Sequence, residues 1–104
     1  MPRKSLQTLS EPMYYVLLAL TRELYGIEIM NEVKRISGGR INIGPGTLYT
    51  MLDKFASNNL IKRTNHSLST KSYIITDDGK QMLKEEYARL YMLLNDGQGI
   101  VEGL

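Results

Sequence analysis

The chain has 104 residues, 42% of them hydrophobic, and a net charge of only +2, which is enough apolar material for one domain with its own core. It has no cysteine, which excludes disulfides, thiolate zinc sites and thiol redox sensing, and suits a reducing, cytoplasmic setting. The charge is unevenly spread: residues 1–71 carry ten Lys and Arg against five Asp and Glu, whereas residues 72–104 carry three against six, so an anionic partner is expected for the front part and a different task for the rest.

The opening MPRKSLQTLSEP lacks an apolar run of secretion-signal length, and Met13 to Leu20 is far too short to span a bilayer. Arg3 and Lys4 form a short basic arm. Ser10 is a good N-cap, with Glu11 favourable beside the helix dipole and Pro12 tolerated in the first turn. The helix that follows is predicted to run to about Thr21. It is apolar nearly all round through Met13, Tyr14, Tyr15, Val16, Leu17, Leu18 and Leu20. Such a helix needs cover on more than one face, which argues for a partner subunit.

A second helix is predicted from Tyr25 to Ser37, with Gly26, Ile29, Val33 and Ile36 as its inner stripe. Gly26 costs helix stability, roughly 1 kcal/mol relative to Ala, and close approach of a neighbouring helix would explain it. Gly38-Gly39 ends that helix as a C-cap pair. Ile41 and Ile43 alternate with Asn42, a period of two that predicts a short strand.

Gly44 as N-cap and Pro45 in the first turn open a third helix, with Leu48, Met51, Leu52 and Phe55 as its buried stripe. Its other face carries Gly46, Thr50, Asp53 and Ser57, flanked by Thr47, Tyr49 and Lys54. That face is small and polar and suits a groove of DNA, although an ordinary surface helix would look much the same. Asn58-Asn59 ends the helix. Leu60 to Thr64 and Lys71 to Ile75 then read as a hairpin around the polar loop NHSLST. Lys62, Arg63 and Lys71 could grip phosphates or simply guard a sheet edge. Thr76 caps the last helix, with Asp77 and Asp78 in its positive first turn. Leu83, Tyr87, Leu90 and Leu94 repeat at helical spacing to about Asn95, too long a stripe for a compact three-helix domain to cover. The glycine-rich end DGQGIVEGL is expected to fray.

Three helices followed by a hairpin, the wing, make a winged helix-turn-helix. The expected fold class is therefore mainly α with a small β-hairpin (α+β): a winged helix-turn-helix domain over residues 1–75, then a C-terminal dimerisation helix and flexible tail over 76–104. YGIEIMNEV at 25–33, GPGTLYTMLDKFASNNLIKR at 44–63 and KSYIITDDGKQML at 71–83 together resemble the PadR family of transcriptional regulators. The resemblance spans about residues 10–90. It implies a homodimeric repressor in which the last helix packs against the first helix of the other subunit. The chain departs from the family in two ways. It has no tryptophan for stacking flat ligands, and Ser72 stands where many relatives carry Arg or Lys before the second wing tyrosine, so fewer wing contacts to DNA are expected.

The expected DNA contacts are Thr47, Tyr49, Thr50 and Lys54 on the third helix and Lys62, Arg63, Asn65, His66, Ser67 and Lys71 on the wing. Met13, Tyr14, Tyr15, Leu17, Leu83, Tyr87, Leu90, Tyr91 and Leu94 are the expected walls of a dimer interface or effector cavity. The partners are then double-stranded DNA with a pseudo-palindromic operator, a second copy of the chain and a small apolar ligand. No metal, cofactor or catalytic group is expected, since the one histidine sits in a polar loop without ligand partners. A winged-helix protein-interaction module is the competing reading, motivated by the modest charge and by Asp53.

Overall fold

The computed structural model describes residues 8–65 and 70–104. Its elements are α1 (Glu11–Ala19), β1 (Leu24–Tyr25), α2 (Gly26–Ile36), α3 (Pro45–Ser57), β2 (Ile61–Arg63), β3 (Ser72–Ile75) and α4 (Asp77–Glu102). The capping residues stand where their chemistry puts them. The Ser10 hydroxyl accepts from the Met13 N–H and the Thr76 hydroxyl from the Gly79 N–H at 3.0 Å. Gly38 and Gly39 take the left-handed conformation after α2, and Asn59 does so after α3 with φ 60°.

The core lies where α1, α2 and α3 meet the sheet. Val16, Leu17, Leu20, Ile29, Val33, Leu48, Leu52 and Phe55 are fully enclosed, the stripes that helical spacing marks out. Leu60, Ile61, Tyr73 and Ile75 close this core from the sheet, and Met82 closes it from α4. Backbone bonds tie the end of β3 to both neighbours: Ile75 N–H donates to Leu20 O at 2.8 Å and Thr76 N–H to Leu60 O at 3.0 Å.

Three expectations need correction. The first concerns the sheet, which has three antiparallel strands in the order β1-β3-β2, with Leu24 opposite Tyr73 and Ile61 opposite Ile75. A two-residue strand has no periodicity to read, and pairing alone defines it. The second concerns Ile41 to Ile43, which form no strand. Local bonds take over there: Ile41 N–H donates to the Ser37 hydroxyl at 3.0 Å and the Asn42 amide to Gly39 O at 3.2 Å. The two isoleucines pack against the core as loop residues. The third concerns the C-terminal end, which does not fray: α4 runs on to Glu102, with Gln98 bonded to Glu102 one turn later.

Candidate nucleic-acid interface

The hydrophobic stripe of α3 faces the core and turns Gly46, Thr47, Tyr49, Thr50, Asp53, Lys54 and Ser57 to solvent. Two of these hydroxyls already donate within the helix, Thr50 to Gly46 O and Ser57 to Lys54 O, each at 3.0 Å. Their oxygens can only accept while those bonds hold. Thr47 and Lys54 line one wall of a groove of about 640 Å³ between α3 and the start of α1, opposite Ser10 and Met13.

The hairpin register decides which wing residues meet α3. Arg63 lies opposite Tyr73, and Lys62 lies opposite Ile74 on the other face. Burial pushes the Tyr73 phenol up, the nearby Tyr49 and Asp53 add to this, and Arg63 opposes it. So Arg63 pairs with Tyr73, which feels Tyr49 and Asp53, while Lys62 lies on the other face of the hairpin and Lys71 is exposed. Asn65 is half-buried and its side-chain oxygen accepts from Ser72 N–H at 3.4 Å. His66 and Ser67 lie outside the described residues.

Ser72 does not face outward. It is only 2% exposed, and its hydroxyl meets Thr64 at 2.6 Å and Glu23 at 3.1 Å. Thr64 donates to the same Glu23 oxygen. Glu23 therefore latches the base of the wing to the turn after α1. Ser72 thus serves the attachment of the wing from inside this latch. The sequence carries no signal for the latch, because its members are 41 and 49 residues from Glu23.

The second set of residues splits. Met13, Tyr14, Tyr15 and Leu83 are half-buried beside the core, whereas Tyr87, Leu90, Tyr91 and Leu94 are exposed along α4. Leu17 is a correction: it is fully enclosed in this chain's own core and cannot line a face shared with a partner. The Tyr15 hydroxyl accepts from Arg40 at 2.7 Å, and Arg40 also bonds Glu11 at 3.2 Å. At the α1–α4 seam, Glu86 is buried at 5% exposure. It accepts from Arg89 at 3.0 and 2.7 Å and from Leu9 N–H at 3.3 Å. The Arg89 guanidinium holds the Glu86 carboxyl below the usual carboxylate range against the opposing effect of burial. Among the described residues no group of His, Asp and Glu could hold a metal, and no helix is long and apolar enough to cross a membrane.

The same architecture recurs in solved structures. A transcriptional regulator from Clostridium thermocellum superposes with a TM-score of 0.72 at 19% identity, covering 88% of this chain and 92% of that one. A PadR family regulator from Eggerthella lenta gives 0.71 at 26% identity, covering 86% and 80%. RosR of H. salinarum gives 0.65 at 22% identity, covering 93% and 90%. No curated protein matches by sequence. The model of the transcriptional regulator PadR-like family matches residues 16–85, from α1 into α4. A chain that carries this family's pattern over most of its length, on this fold and with a polar helix face beside a basic hairpin, belongs to the PadR-like family and is a DNA-binding transcriptional regulator rather than an enzyme.

Proposed function

We propose that the chain is a homodimeric repressor that reads a pseudo-palindromic operator and is released from it by a small apolar or aromatic molecule. The observation that carries the dimer is the bare second half of α4. Tyr87, Tyr91 and Leu94 are 64%, 58% and 68% exposed, with Met92 and Leu93 beside them. A continuous apolar strip of this kind marks an interaction surface. In this reading residues 1–75 form the DNA-reading unit and residues 76–104 the pairing helix. A two-fold pair would offer its two α3 helices to half-sites about 34 Å apart or a multiple of that.

On each half-site Thr47, Tyr49, Thr50 and Lys54 face the groove. Lys62, Arg63, Asn65 and Lys71 on the wing follow the neighbouring backbone. Phosphate contacts set the register and base contacts choose the sequence. Release by a ligand draws support from two hollows that meet at Tyr14. One, of about 410 Å³, lies by Tyr15, Glu86 and Leu90, and the other, of about 240 Å³, lies by Leu18, Leu83 and Tyr87. A molecule seated there would change the angle between α1 and α4, and with it the spacing of the two reading helices.

The test combines light scattering with binding to a fluorescent duplex from the region upstream of the chain's own gene. A dimer at micromolar concentration and an affinity that falls steeply with salt are expected. Lys62→Ala should reduce the salt slope by about 0.9, the share of one neutralised phosphate. A stable monomer would overturn the pairing. No binding at low salt, with a protein partner co-purifying instead, would favour the interaction-module reading that exposed Asp53 motivates.

A further inference from the structure

Glycine at the first position of α2 has no backbone cause. Among the described residues, positive φ occurs only at Gly38, Gly39 and Asn59, and alanine is the better helix former. What excludes a side chain at Gly26 is a side chain from α3. A Cβ on Gly26 would overlap the Tyr49 hydroxyl and stand 3.0 Å from Tyr49 Cζ. The neighbour that a side chain there would displace is therefore the tip of a phenol and not the backbone of another helix. Tyr73 on β3 feels the same phenol. Tyr49 is nevertheless 40% exposed, so it is held in position without being hidden.

We infer that Gly26 is a positioning residue for DNA binding: its missing side chain is the socket that seats the Tyr49 phenol where α2, α3 and β3 meet. The inference rests on Tyr49 being a DNA contact, as proposed above. A methyl group at residue 26 cannot push the α2 backbone aside cheaply, but it can push the far end of Tyr49. The ring then swings out of its seat while α2 itself keeps its helix. A tyrosine hydroxyl is neutral and donates to phosphate without displacing counterions. Its loss therefore weakens binding and leaves the salt slope unchanged, because that slope counts neutralising cations.

The test is a double-mutant cycle of Gly26→Ala and Tyr49→Leu on the full chain, read by duplex affinity and salt slope, with thermal melts to verify folding. In the unmodified chain a nuclear Overhauser contact between the Gly26 α-protons and the Tyr49 ring is expected. Gly26→Ala should abolish it and lower affinity about tenfold, the scale of one hydrogen bond to a charged group, at constant slope. In the Tyr49→Leu background the same change should cost less than about twofold. An equal loss in both backgrounds would overturn the inference, since Gly26 would then act on its own. So would an absent Overhauser contact in the unmodified chain. If Tyr49→Leu alone leaves affinity unchanged while the Overhauser contact is present, the DNA role of Tyr49 fails and the seating stands only as packing, which overturns the link from Gly26 to DNA.

Discussion

The first ten residues of α4 and the rest of that helix live in different surroundings. From Asp77 to Glu86 the helix is built into the winged head: Gly79 lies against Leu60 and against Ile75 of β3, Met82 enters the core and Glu86 clamps the segment before α1. From Tyr87 onward its apolar side chains stand in solvent, through Leu94 and on to Ile100 and Val101. Both halves nevertheless belong to one continuous helix. The first half is stabilised by burial within its own chain. The second half gains no burial of that kind within its own chain. The change from buried to exposed apolar side chains occurs within one turn, at Glu86 and Arg89.

The sharpest way to break this comparison is to delete apolar groups on either side of it. Phe55→Ala empties a fully enclosed site in the head and should cost about 3–5 kcal/mol in chemical denaturation. Leu94→Ala should change the stability of a dilute sample by less than about 0.5 kcal/mol. At high concentration it should instead weaken the rise of melting temperature with protein concentration that a dimer gives. A large loss for Leu94→Ala in dilute solution would mean that the second half belongs to the head after all.

A smaller effect probes how the first half is attached. A methyl group at Gly79 would overlap the Leu60 carbonyl oxygen and stand 2.6 Å from the Ile75 side chain. Backbone cannot yield as a side-chain tip can, so Gly79→Ala should destabilise by about 1–3 kcal/mol, read as a lower denaturant midpoint. Gly97→Ala, at the bare end and with only a Val101 methyl 3.9 Å away, should raise helix stability slightly instead.

The mildest effect follows the Glu86 clamp through pH. Its carboxyl titrates below the ordinary value because Arg89 bonds the charged form. A depressed folded value means that the clamp stabilises fully above the ordinary glutamate pKa of about 4.3 and loses that contribution as pH falls through the folded value. Melting temperature should therefore drop below about pH 4, and Glu86→Gln should flatten that drop while lowering stability at pH 7. An unchanged acid limb in Glu86→Gln would show that the clamp contributes nothing.

Elements governed by neighbours in the chain were legible from the residues themselves. Ser10, Thr76, Gly38-Gly39 and Asn59 announce helix ends because caps and left-handed turns are satisfied within a few residues. The stripes of α2 and α3 follow from spacing alone, so the polar face of α3 was legible too. Tertiary contact decided the rest. Leu24–Tyr25 is a strand only because β3 lies beside it, and Ile41–Ile43 is not one because Ser37 and Gly39 take its polar groups. Leu17 and Leu94 look alike on paper, yet one is enclosed and the other bare. Gly26 meets a phenol from another helix, and Ser72 owes its burial to Glu23. Local order reflects bonds that a short segment can close by itself, whereas burial depends on which distant surface arrives, and no pattern within the segment encodes that arrival.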